Sequence, residues 1–259
     1  MIKKLYLLIL TSVILSMSAT SLVSAETKQE ITVSAAISLK NVFEEAGKLY
    51  EARNKGIKVV FNFGASGDLI RQIEVGAPVD VFASAAQKDM DEISGKGLIV
   101  PGSRADFAAN TAVLVIPANS GTRIKSFEDL AAGTIQKIAV GNFKSSPAGR
   151  YTEEVFRYYR LLPAITGKLV FAANVRQVLD YVARGEVDAG VVYSTDAKMR
   201  STEVWVAATA PPTSHQPITY PVAVVRGTKN ETAARSFISF ILSGEGQAVL
   251  TKYGFNVKR

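Results

Sequence analysis

Short apolar runs alternate with stretches of helical spacing along most of this chain, which limits it to folds built from strand–helix–strand units. Residues 30–36 (EITVSAA), 57–63 (IKVVFNF) and 79–84 (VDVFAS) read as strands. Between and after them, Leu39, Val42, Phe43, Ala46, Leu49 and Tyr50, then Leu69, Ile70 and Ile73, then Met90 and Ile93 keep helical spacing. The pattern resumes with strands at 111–117, 137–141, 168–172 and 187–194. A short helix is expected around 126–131, a long one after SSPAGR (145–150) and another over 175–184. Four prolines, Pro211, Pro212, Pro217 and Pro221, mark a boundary before one more strand. The last helix, ETAARSFISFIL, is expected to end at Ser243-Gly244. No internal repeat is visible. The expectation is an α/β chain with mostly parallel sheet.

The first 25 residues stand apart. Lys3 and Lys4 precede an apolar core, Leu5 to Leu15, and Val23-Ser24-Ala25 is a small-residue cleavage site. That is a secretory leader cut after Ala25. The run breaks into Ser and Thr too early for a membrane span, which needs about 20 apolar residues. The remaining 234 residues suffice for one large α/β domain or two lobes.

Composition narrows the function. The formal charge is +7, and without Lys3 and Lys4 it is +5, spread along the chain with no basic block. Nucleic acid is a poor partner for such a surface, whereas small anions would be gently attracted. There is no cysteine, so thiolate nucleophiles, thiolate metal sites and a lipid anchor at the leader are excluded. An exported, unanchored protein is retained most simply in a periplasm. The one histidine, His215, lies in the proline-rich stretch, and no Gly-x-Ser-x-Gly elbow is present. No catalytic constellation emerges, and the chain reads as a binder rather than an enzyme.

Five sites share one position, the end of a strand, and four precede a helix. In open parallel sheets ligands bind outside the carboxyl ends of the strands. Ser38 in AAISLKN reads first as a helix cap and second as a ligand group. Ser66 lies in FGASGD, where Gly64 and Gly67 let backbone approach a ligand, although Asp68 would repel an anion unless it faces outward. In SSPAGRY, Pro147 suits the first helical turn, and Ala148 and Gly149 offer N–H groups. In AANVRQV, Asn174 is a plausible cap and Val175 offers an early helical N–H. Tyr193 in VVYSTDA, judged alone, is a packed core tyrosine before it is a ligand.

Together these segments resemble one family, the periplasmic molybdate-binding proteins of ABC transporters. The resemblance covers essentially the whole chain after the leader. Its markers are ITVSAAISL, FNFGASGDLIRQIEVGAPVDVFASA, SSPAGRY, VVYSTDA, YPVAVV and KYGF, of which GAPVDVFASA with PAGRY is the most specific pair. The resemblance implies a two-lobed periplasmic-binding-protein fold, each lobe a mostly parallel sheet flanked by helices. Residues 26–109 with 219–259 would form one lobe and 110–218 the other, with crossing strands near 111–117 and 218–225.

The resemblance further implies an oxyanion, molybdate or tungstate, held by Ser38, Ser66 and Tyr193 hydroxyls and by the Ala148 and Val175 N–H groups. No cofactor and no metal cation are implied. The partners would be a membrane permease and its ATPase, and the binder a monomer. The chain departs from the family pattern at Asp68. Another tetrahedral oxyanion, such as sulfate, is the alternative ligand.

Overall fold

Strand ends, more than strand faces, organise this molecule. The computed structural model describes residues 29–121 and 124–257, so the expected leader, residues 1–25, lies outside the described residues. Among them, ten strands form two five-stranded sheets. The first is ordered β2-β1-β3-β10-β4, from β1 (Gln29–Ala36), β2 (Ile57–Gly64), β3 (Val81–Ala83), β4 (Ala105–Ala109) and β10 (Thr219–Val224). The second is ordered β7-β6-β8-β5-β9, from β5 (Ala112–Pro117), β6 (Ile138–Gly141), β7 (Leu169–Ala172), β8 (Ala189–Tyr193) and β9 (Val204–Thr209).

The two sheets repeat one topology that no repeat in the sequence announces. In each, four strands run one way and a single strand opposes both its neighbours: β10 between β3 and β4, and β5 between β8 and β9. The opposed strand is in both cases the one by which the chain arrives from the other sheet. The crossings are Asn110-Thr111 and the proline-rich residues 210–218. Pro221 sits in β10 where the register with β4 shifts after Tyr220, an irregularity that accommodates a residue without an N–H.

Helices cover both sheets. Those of the first lobe are α1 (Lys40–Arg53), α2 (Ser66–Glu74), α3 (Gln87–Gly95), α8 (Glu231–Leu242) and α9 (Gly244–Lys252). Those of the second are α4 (Pro147–Tyr158), the single turn α5 (Leu162–Ile165), α6 (Val175–Ala183) and α7 (Ser194–Met199). The expected apolar faces are the buried ones: Val42, Phe43, Ala46 and Tyr50 on α1, and Leu69, Ile70 and Ile73 on α2. Phe43 packs edge-on against Phe237 of α8, with ring centroids 6.0 Å apart, and beside Phe107 of β4. Buried aromatic area of this kind supplies the largest single contributions to a core.

Three elements depart from the sequence reading. The chain does not stop being helical at Ser243-Gly244: Ser243 caps α9 by accepting the Gly246 N–H at 3.3 Å, so a sequence that looks like a terminator also starts the next helix. The helix α7 was not expected, because its inward residues Thr195 and Asp196 are polar. The strand β4 (ADFAA) is short and alanine-rich, so period-two patterning is hidden. Around 126–131 the turn is a 3₁₀ segment, Glu128–Ala131.

The carboxyl ends of the three parallel strands in each sheet face the same region. Beyond Ala36, Gly64 and Ala83 in one lobe, and Gly141, Ala172 and Tyr193 in the other, lie all the residues considered next.

Candidate functional site

A small cavity of about 10 Å³, room for about one water molecule, lies between the lobes. Ser38 and Ser66 line it from the first lobe, and Ala148, Val175 and Tyr193 from the second. All five residues singled out in the sequence therefore meet at one place. No charged side chain lines the cavity.

Ser38 is not a helix cap. It sits inside a 3₁₀ turn, Ile37–Leu39, ahead of α1, and makes no capping bond. Its Oγ lies 3.1 Å from the Tyr220 hydroxyl. Asn110 in the crossing segment reaches the same phenol hydroxyl. Asn110 Oδ1 accepts the Thr111 N–H at 2.9 Å, so its amide nitrogen must donate, to Tyr220 Oη at 3.2 Å and to Thr195 Oγ1 at 2.9 Å. Either hydroxyl can donate in the Ser38–Tyr220 bond, and where Tyr220 donates the Ser38 hydrogen is free for the cavity. Burial holds the Tyr220 phenol above its ordinary pKa, so it stays protonated.

Ser66 is the first residue of α2, and Ala65 holds the cap position. Its Oγ accepts the Ala85 N–H at 3.2 Å, which again leaves the hydroxyl hydrogen for the cavity. In α4, Ser146 is the cap and accepts the Gly149 N–H at 3.4 Å, so Gly149 is not the free donor that its position suggested. Pro147 has no N–H, and Ala148 keeps the first-turn N–H without an intrahelical acceptor. A side chain at Gly149 would come within 2.4 Å of the Gly141 carbonyl oxygen, which explains the glycine by packing. In α6, Asn174 is the cap, as read from the sequence. It accepts the Gln177 N–H at 3.1 Å and leaves that of Val175 at the helix start.

Tyr193 ends β8 and is 1% exposed, and its hydroxyl is buried with no hydrogen-bond partner. Burial pushes its pKa far above the ordinary 10, so it can act only as a neutral donor or acceptor. A buried phenol oxygen without a partner costs about 1–3 kcal/mol and points to a ligand.

Asp68 faces away from the cavity, partly exposed and paired with Arg71 one helical turn on. Two further acidic groups stand close by in ion pairs. Asp89 at the start of α3 meets Arg150 of α4 at 2.6 Å, a bond between the lobes. Burial raises the Asp89 pKa, and Arg150 opposes the rise. Asp196 of α7 is fully buried and lies 3.2 Å from Arg176 of α6. Burial pushes its pKa up to about 6, with Arg176 and the Tyr193 amide pulling it back. Asn110, Tyr220, Arg176 and Asp196 were not singled out as site residues in the sequence. The available signals were a polar residue at a sheet crossing and a tyrosine inside an otherwise apolar strand.

The second glycine of GASG also has a role other than the one expected. The Gly67 N–H donates to the Ser145 carbonyl of the other lobe at 3.1 Å, and a Cβ at Gly67 would sit 2.8 Å from that oxygen. The small residue serves the approach of the second lobe.

Two lobes closed over a cavity lined with hydrogen-bond donors define a solute-binding protein of the two-lobed kind. The chain belongs to the family of bacterial extracellular solute-binding proteins, whose family model matches residues 31–256. Such proteins bind and hand over solutes and are not enzymes. It is 38% identical over 234 residues to a Bacillus subtilis protein named as an ABC transporter substrate-binding lipoprotein, YvgL, covering 90% of this chain and 89% of that one. It is 36% identical over 232 residues to the molybdate-binding protein ModA of Haemophilus influenzae, covering 88% and 91%. The solved periplasmic molybdate-binding protein of Azotobacter vinelandii shares the fold, with a TM-score of 0.79 at 24% identity over 88% of this chain and all of that one.

Two outcomes follow from this geometry. Gly67→Ala disfavours the closed arrangement, because a Cβ there would sit 2.8 Å from the Ser145 carbonyl oxygen, against a helix preference for alanine of about 1 kcal/mol. The same change weakens ligand binding by obstructing closure; thermal melting with and without ligand reads both effects. Asp196 binds its proton more tightly folded than unfolded, because its pKa rises from 3.8 to about 6. Its stabilising contribution is therefore complete below about pH 4 and lost as pH rises through about 6. At about 1.4 kcal/mol per pH unit the difference is about 3 kcal/mol. Urea unfolding between pH 4 and 7 should show that slope in the wild type and its loss in Asp196→Asn.

Proposed function

We propose that the cavity captures molybdate, and tungstate equally, for delivery to an ABC transporter permease. The reading rests on one observation above all: the Tyr193 hydroxyl, buried and unpartnered, belongs to a residue lining a cavity with no charged side chain. Ser38 Oγ, Ser66 Oγ, Tyr193 Oη and the N–H groups of Ala148 and Val175 hold the anion's oxygens in this proposal.

Molybdate at neutral pH is a doubly charged tetrahedron of four acceptor oxygens with no proton. A donor-only site matches it, and hydrogen bonds to an anion are shorter and stronger than neutral ones. Helix N-termini spread the compensating charge, so no buried lysine or arginine is needed. Protonated phosphate brings a donor that such a site leaves unpaired. Sulfate has the same pattern in a smaller body and is rejected by size. Tungstate, nearly equal in size, is not.

In this proposal residues 26–109 with 219–259 move as one lobe and 110–218 as the other, and only the closed form brings both contact sets to the ligand. The protein acts as a monomer in the periplasm, after a leader is removed behind Ala25. N-terminal sequencing of the exported protein should read Glu26 first; a retained leader would refute that part.

Isothermal titration of the exported protein, stripped of anion, tests the ligand. One-to-one binding of molybdate and tungstate is expected, with sulfate about a hundredfold weaker, the range that pocket size can supply. Ser66→Ala should weaken molybdate binding roughly 10- to 100-fold, the loss of one charge-assisted bond. Tyr193→Phe should weaken it similarly without lowering ligand-free stability. Equal sulfate affinity would replace the ligand, and no heat with any oxyanion would refute the site.

A further inference from the structure

Arg176 follows Val175 in the first turn of α6 and does not itself line the cavity. Nη1 donates to Asn41 Oδ1 at 3.0 Å. Asn41 belongs to α1 of the first lobe, three residues after Ser38. Nη2 lies 3.2 Å from the Asp196 carboxylate in α7, three residues after Tyr193. One guanidinium thus joins the segments that carry Ser38, Val175 and Tyr193, and it does so across the cleft.

The pair is not arranged as a static ion pair would be. An arginine and a buried carboxylate ordinarily meet through two parallel N–H···O bonds. Here Arg176 Nε is buried with no hydrogen-bond partner, and the guanidinium meets Asp196 through Nη2 alone, at 3.2 Å. The fork that would sit squarely on Asp196 is shared with Asn41 instead. Asn41 belongs to the other lobe, so parting the lobes would remove this bridge and leave Asp196 as the ionic partner of Arg176.

Because Asp196 offsets its charge, Arg176 adds little net field to the cavity and need not touch the ligand. Its position directly after Val175 means that turning the guanidinium toward Asn41 or Asp196 bears on the backbone that would donate to the anion.

We infer that Arg176 is a positioning residue that ties lobe closure to anion occupancy, through its bridge to Asn41 in the closed form and its pairing with Asp196. This rests on the oxyanion reading of the site and adds a determinant of how long the anion is held. A contact made only in the closed form acts on the release rate and leaves the encounter rate alone.

The test uses the exported protein and molybdate itself. Equilibrium titration is combined with the release rate of radiolabelled molybdate, chased with unlabelled anion, for wild type, Asn41→Ala, Arg176→Lys and the double variant. Asn41→Ala removes a half-buried side chain and leaves the Arg176–Asp196 pair, so it keeps the fold. It should bind about tenfold more weakly, with all of the loss in faster release, an association rate within about twofold of wild type and an unchanged ligand-free melting temperature. Arg176→Lys keeps the charge but not the fork and should also release faster. The double variant should be no worse than the weaker single, since both act through one bridge. Wild-type-like release from Asn41→Ala, beside tight wild-type binding, would overturn this inference alone. Failure of the wild type to bind any oxyanion would overturn the reading beneath it, and this inference with it.

Discussion

The backbone N–H groups at the starts of helices are the constraint on which the rest of this architecture depends. A helix leaves its first N–H groups without intrahelical acceptors, and a chain must give them to caps, water or ligand. Here the caps are placed so that they take some and spare others. Ser146 takes the Gly149 N–H and Asn174 takes that of Gln177, while Ala148 and Val175 keep theirs at the cavity. That distribution works only if the helix starts converge, and convergence follows from the sheets. The three parallel strands of each lobe end on the same side, and the helices that follow begin there. The antiparallel strands β5 and β10, which bring the chain across, turn the two sets of strand ends toward one another.

The crossings also carry the proton arrangement of the site. Asn110 lies in one crossing, and Tyr220 belongs to the strand that follows the other. Through them the Ser38 hydroxyl is linked by hydrogen bonds to the backbone N–H of Thr111. A hydroxyl of the first lobe is thereby tied to the point at which the chain crosses between the sheets. Ser194 Oγ donates to the same Asn110 oxygen at 3.0 Å, directly after Tyr193, so a donor of the second lobe is anchored to that point as well.

Much of this was legible in the sequence because it depends on local chemistry. Small residues at strand ends, Pro147 in a first turn and Asn174 ahead of a helix are local features, and each marks its place without reference to the rest of the chain. What was not legible depends on residues far apart. Ser38 reads as a cap because its real partner, Tyr220, is 182 residues away. Gly67 reads as a place for ligand to approach because Ser145, which approaches it, belongs to the other lobe. The second C-terminal helix was lost for a different reason: Ser-Gly is equally good at ending one helix and capping the next, and only the buried Val249 and Leu250 of α9 distinguish the two.

The charges around the cavity are arranged in neutral pairs. Arg71 answers Asp68, Arg150 answers Asp89 and Arg176 answers Asp196, and none of the six lines the cavity. A site that attracted its ligand by net charge would favour any dianion and would hold it against release. Pairing removes that bias and leaves recognition to the number, direction and spacing of neutral donors. In the proposed oxyanion site, direction would reject a ligand that carries its own proton, and spacing one of the wrong size. Two of the pairs are also the ones that reach between lobes, Arg150 directly to Asp89 and Arg176 through Asn41. The same side chains that leave the cavity without a charged lining therefore also supply contacts between the lobes.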